Sequence, residues 1–74
     1  MTIPIFTNNA LRKMSQWNLS ENQVLDVFNT GSVEKWEMGS KSIKKYNSYE
    51  IGITWIQDNR GTYKITSVWK RDRR

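Results

Sequence analysis

Twelve lysines and arginines, three tyrosines and a scatter of hydroxyl side chains carry whatever chemistry this chain can do, because it has no histidine and no cysteine. A histidine general base, a cysteine nucleophile, a disulfide and a Cys/His zinc site are therefore excluded. The seven acids are spread without metal-ligand spacing, so no metal or other cofactor is expected. Gly39, Gly52 and Gly61 stand apart from one another, which rules out a phosphate loop and a dinucleotide fingerprint. Glu34 and Glu37 form the nearest acidic grouping. Three apart on a strand, they point to opposite faces and read as a solvated edge before an acid–base pair.

The groups that remain suit one recognisable reaction, cleavage of RNA through the ribose 2′-hydroxyl. Positive side chains there stabilise a phosphorane-like transition state, and a lysine of lowered pKa or a tyrosine replaces histidine in proton transfer. The candidate roles are Lys44 and Lys64 for phosphate contact, Arg71 for transition-state charge, and Ser67 or Thr66 for positioning. Lys41, Lys45, Lys70, Arg73 and Arg74 extend a phosphate path. Trp36 and Tyr46, lying beside basic residues, are candidate stacking platforms for bases. Strand alternation sends Lys44 and Lys45 to opposite faces, so about half of these cations can share one surface. Ordinary solvated charge is the competing reading of the Lys44-Lys45 pair. Trp17, Trp55 and Trp69 read as core, since so small a domain must bury its large side chains.

Charge is divided unevenly. Residues 1–39 hold three basic and four acidic side chains, net −1, while residues 40–74 hold nine basic and three acidic, net +6. That asymmetry points to a polyanionic partner, most simply nucleic acid, with RNA ahead of DNA given the candidate chemistry. The alternative is a solubilising surface with a charged tail. Residues 1–7 lack the charged and apolar regions of a signal peptide, and no stretch approaches the roughly 20 apolar residues that cross a bilayer. A cytoplasmic location without membrane contact is expected.

Seventy-four residues allow one domain, 1–74, and the pattern predicts an α+β fold. A first helix begins after Thr7 as N-cap, with Ala10, Leu11, Met14 and Trp17 at helical spacing, and ends near Asn18. Ser20 and Gln23 make a capping box, with Leu19 and Val24 placed as its hydrophobic staple. Val24, Leu25, Val27 and Phe28 form the stripe of this second helix, and Gly31 stops it. Strands are predicted over 33–38, 42–46, 49–57 and 63–70. Tyr49, Ile51, Ile53 and Trp55 share one face. Tyr63, Ile65, Ser67 and Trp69 are expected to share another, opposite Lys64, Thr66, Val68 and Lys70. Residues 58–61 form a hairpin loop with Gly61 at positive φ, and 72–74 a frayed tail. The expected architecture is two N-terminal helices packed on a three- to four-stranded antiparallel sheet.

Residues 6–20, F-T-N-N-A-L-R-K-M-S-Q-W-N-L-S, resemble the opening of the bacterial domain-of-unknown-function family numbered 4258. Y-E-I-G-I-T-W at 49–55 and Y-K-I-T-S-V-W-K-R at 63–71 are similar to that family's last two strands. The helix–helix–sheet order also resembles RelE-like endoribonuclease toxins. The resemblance implies a small RNA-directed domain with an acidic antitoxin or other protein as a further partner. Where the family carries histidine this chain has Asn9, an altered or vestigial site that cannot act as a base near neutral pH. The family's basic residue corresponds to Lys13, and its Arg-Gly to Trp17-Asn18.

Two functions from different classes follow. One is a nucleic-acid-binding domain, with metal-independent cleavage left open. The other is a non-catalytic inhibitor or adaptor of a nucleoprotein machine, of the phage or mobile-element kind, whose aromatics anchor an acidic protein. A homodimer joined through a strand edge is a third possibility.

Overall fold

The computed structural model describes residues 3–36 and 39–72. The order of elements is β1 (Ile5–Phe6), α1 (Asn8–Trp17), α2 (Glu21–Thr30), β2 (Ser32–Trp36), β3 (Gly39–Lys45), β4 (Tyr49–Gln57) and β5 (Tyr63–Asp72). Thr7 caps α1, its hydroxyl accepting from Ala10 N, and Asn18 closes the helix in the left-handed conformation. Ser20 and Gln23 exchange both bonds of the capping box that opens α2, and the staple residues Leu19 and Val24 are buried. The cap satisfies two amides that the helix itself leaves unpaired. Ser20→Ala should therefore lower the unfolding free energy by about 1 kcal/mol. A denaturation curve with unchanged midpoint would remove the cap from the stability of α2.

The sheet has five strands in the order β1-β5-β4-β3-β2, antiparallel except that β1 runs parallel to β5. This corrects the expected three to four antiparallel strands. Two residues cannot display a period of two, so β1 leaves no trace in the hydrophobic pattern. It exists because Ile5 and Phe6 pair with Lys64 and Ile65. Thr7 extends the tie, its N–H and its hydroxyl both donating to the Ile65 carbonyl at 3.2 and 2.8 Å.

Both helices lie on one face. Ala10, Met14, Val24 and Val27 meet Ile51, Ile53, Ile65 and Val68 in a continuous core, with Leu19 at its margin. Phe28, Trp55 and Tyr63 add a triangle of edge-to-face rings with centroids 5.3 to 5.5 Å apart. Trp55 Nε1 donates to the buried Ser42 Oγ at 2.8 Å, so that polar atom is satisfied.

A second correction concerns β5. Thr54 pairs with Ser67 but Trp55 pairs with Ile65, so Thr66 is an extra residue and forms a bulge. Past the bulge the faces exchange. Val68 turns into the core and Ser67, Trp69 and Arg71 turn away from the helices, the reverse of the predicted alternation. Asp72 is no frayed tail either, since it pairs with Tyr49. At the other end of β5, Gly61 turns the 58–61 loop with φ +83°, and the Asp58 carboxylate accepts from Arg60 N and Thr62 N, both at 2.9 Å.

Candidate nucleic-acid interface

Register fixes what the face opposite the helices displays. Four rows cross it. Glu34, Lys41, Thr54 and Ser67 lie in one, and Ser32, Ile43, Gly52 and Trp69 in the next. Lys45, Glu50 and Arg71 form a third, and Ile56 and Lys64 belong to the fourth. Among the described residues no helix covers this surface. Four cations, Lys41, Lys45, Lys64 and Arg71, thus share one side of the sheet with two carboxylates.

The centre of the surface is Gly52, a glycine inside a central strand. A Cβ there would lie 2.1 Å from Trp69 Cζ2, 2.2 Å from Cε2 and 2.8 Å from Nε1, so the indole occupies the space that glycine leaves. Trp69 is half-buried and outside the core, contrary to the core reading of its sequence. Trp17, also read as core, is 39 % exposed at the end of α1. Of the three tryptophans assigned to the core, only Trp55 packs there. The bulge adds hydroxyls beside this surface. Thr54 and Thr66 Oγ1 meet at 2.8 Å, Thr66 also reaches the Thr54 carbonyl at 3.2 Å, and Ser67 follows in the adjacent row.

Other candidates serve elsewhere. Lys44 lies on the helix side of β3, where its ammonium pairs with Asp26 and donates to Thr30 Oγ1 at 2.9 Å. It ties α2 to the sheet, although the residue also lines a hollow shared with Lys45 and Arg71. Tyr46, beyond the end of β3, stacks on Tyr49 with centroids 4.8 Å apart and donates its hydroxyl to Asp26 at 3.1 Å. Lys70 is also on the helix side, its ammonium 4.7 Å from the Tyr49 ring centre. Asn9 Nδ2 donates to the Thr66 carbonyl at 2.8 Å, so Asn9 holds the start of α1 against the bulge. Arg73, Arg74, Glu37 and the side chain of Trp36 lie outside the described residues.

The Asp26 cluster sets two pH windows. Hydrogen bonds from Lys44 and Tyr46 hold the Asp26 carboxyl below its ordinary 3.8. Burial and the Asp26 hydrogen bond push the Tyr46 hydroxyl from 10.0 up to about 12. A depressed carboxyl stabilises the fold above its unfolded pKa and loses that contribution as pH falls. A raised phenol stabilises the fold below pH 10.0 and loses its contribution as pH climbs toward about 12. Denaturant midpoints should therefore fall below pH 3.8 and again above pH 10.0. Tyr46→Phe should remove much of the alkaline decline, and an unchanged alkaline limb would sever Tyr46 from stability. Asp58 adds to the acid window, since the backbone amides of Thr62 and Arg60 and the nearby Lys64 lower its pKa. The Lys64 ammonium is 3.9 Å from Asp58, and Lys41 is 3.7 Å from Glu34. Pairs at those distances on a wet surface restrain their cations weakly.

No family model, curated protein or solved structure matches this chain. Among the described residues no helix is long and apolar enough to cross a membrane, and no three acids gather as a metal site. What the uncovered face offers chemically is four cations, two carboxylates, hydroxyls and one central indole. Those groups can hold and orient a phosphate backbone.

Proposed function

We propose that this chain binds nucleic acid, RNA ahead of DNA, on the uncovered face of its sheet, and acts in the cytoplasm. The observation that carries the reading is the gathering of Lys41, Lys45, Lys64 and Arg71 on a face that no described helix covers. Charges so arranged neutralise phosphates and release counterions, a sequence-independent source of affinity. The resemblance to the family numbered 4258 and to RelE-like endoribonuclease toxins agrees with an RNA-directed role. In that reading Arg71 and Lys64 supply charge to a phosphate, and Ser67 and Thr66 orient it from the bulge. In the same reading Lys44, paired with Asp26 on the helix side of the sheet, serves stability. With Asn9 engaged at Thr66 and no histidine present, the wild-type chain is expected to bind without robust cleavage of total RNA.

The second reading, an inhibitor or adaptor for an acidic protein, is favoured by one feature. Glu50 lies in register between Lys45 and Arg71, a mixed pattern that suits a protein interface better than a phosphate path. Titration of labelled single-stranded RNA, duplex RNA and DNA at low salt separates the two. Binding to any of them that weakens as salt rises supports the first reading, with purified-protein cleavage scored in the same samples. No binding to any of them gives precedence to the second.

A further inference from the structure

Two hollows flank one arginine. The larger, about 570 Å³, is lined by Ile43, Lys45, Glu50 and Arg71 of the uncovered face together with Thr30 and Lys44 at the end of α2 and on β3. The smaller, about 450 Å³, lies between the end of α1 and the end of β5, against Trp17, Lys70 and Arg71. Arg71 belongs to both. On its own strand Trp69 precedes it by two residues and shares its face, about 7 Å away along the chain direction. Across the smaller hollow stands Trp17, 39 % exposed. Arg71 thus stands at the end of β5 between an indole on the uncovered side, Trp69, and one on the helix side, Trp17, neither of them in the core.

We infer that the strand bound here is unpaired, and that Trp69 and Trp17 stack bases on either side of a phosphate held by Arg71. The inference rests on the nucleic-acid reading above and names its substrate class. A duplex hides the faces of its bases, and a basic surface meets it through phosphates and groove shape alone. An exposed Trp17 and a half-buried Trp69 near a cation add nothing to such a contact. An unpaired strand turns its bases outward, where aromatic side chains stack on them with little regard to sequence while the cation holds the backbone. Trp17 has a solvent-facing position that core packing does not demand, and Trp69 is held in place by its seat on Gly52. Both are therefore available to a ligand without rearrangement of the core.

The test uses the full chain, an unstructured labelled oligouridylate and an RNA duplex of equal length. Wild type should prefer the oligouridylate, and its tryptophan fluorescence should fall on binding. Trp17→Ala should lower affinity for the single strand about tenfold, with little change for the duplex. Trp69→Leu keeps an apolar cover over Gly52 while removing the indole, and should do the same with its melting temperature close to wild type. Wild-type affinity that is equal for both RNAs and unchanged in both variants would overturn the inference while leaving nucleic-acid binding intact. Failure of wild type to bind either RNA would overturn both.

Discussion

Gly52→Ala is expected to lower the melting temperature by about 5–20 °C and to weaken nucleic-acid binding at the same time. The added methyl would stand 2.1 to 2.8 Å from three atoms of the Trp69 indole, far inside van der Waals contact. Either the indole leaves its seat or the two central strands shift. Overpacking of this kind costs about 1–3 kcal/mol. A domain of 74 residues has a total stability of only about 4–11 kcal/mol, so the change is large. The effect on binding follows from the same displacement, because Trp69 sits beside Arg71 on the proposed surface. Thermal denaturation followed by circular dichroism checks the first part, and an oligonucleotide titration the second. A variant with wild-type values in both would mean that Trp69 is not held by Gly52.

The second large effect separates location from net charge. Lys64→Ala with Arg71→Ala removes two cations from the uncovered face. Lys13→Ala with Lys35→Ala removes two from α1 and from the helix side of β2, so both double variants lose the same net charge. Each phosphate contact to a single strand contributes roughly 0.7 to the log–log salt slope, or on the order of tenfold in affinity near 50 mM salt. The first variant should therefore bind about 100-fold more weakly than wild type, and the second should stay within a few-fold of it. Equal losses in the two would mean that attraction is spread over the molecule and that no face is specialised. Lys44→Ala offers a further contrast, since it should lower stability by loosening α2 and leave binding nearly unchanged.

Local chemistry was legible in the sequence wherever a residue acts on its near neighbours. The Thr7 cap, the capping box at Ser20 and the turn at Gly61 each depend on groups within four residues. The alternation of Tyr49, Ile51, Ile53 and Trp55 was legible because that strand is regular and one of its sides is buried. The bulge at Thr66 was not, since an extra residue in a ladder carries no compositional mark, yet it reverses every side chain after it. Trp69 and Arg71 reach the uncovered face for that reason alone. One signal did point there, a glycine in the middle of a central strand, which implies that another group must approach its backbone. The contact of Lys44 with Asp26 spans 18 residues and depends on how α2 sits over β3, so Lys44 looked from sequence like any other strand lysine.

The dependence of affinity on salt, measured with wild-type protein and a labelled single-stranded RNA, tests the proposed surface most directly. Four cations engaging phosphates predict a log–log slope of about −3 or steeper, reduced by roughly 0.7 for each of Lys41, Lys45, Lys64 and Arg71 that is replaced by alanine. A slope near zero, or a slope unchanged when all four are replaced, would contradict nucleic-acid binding by this face.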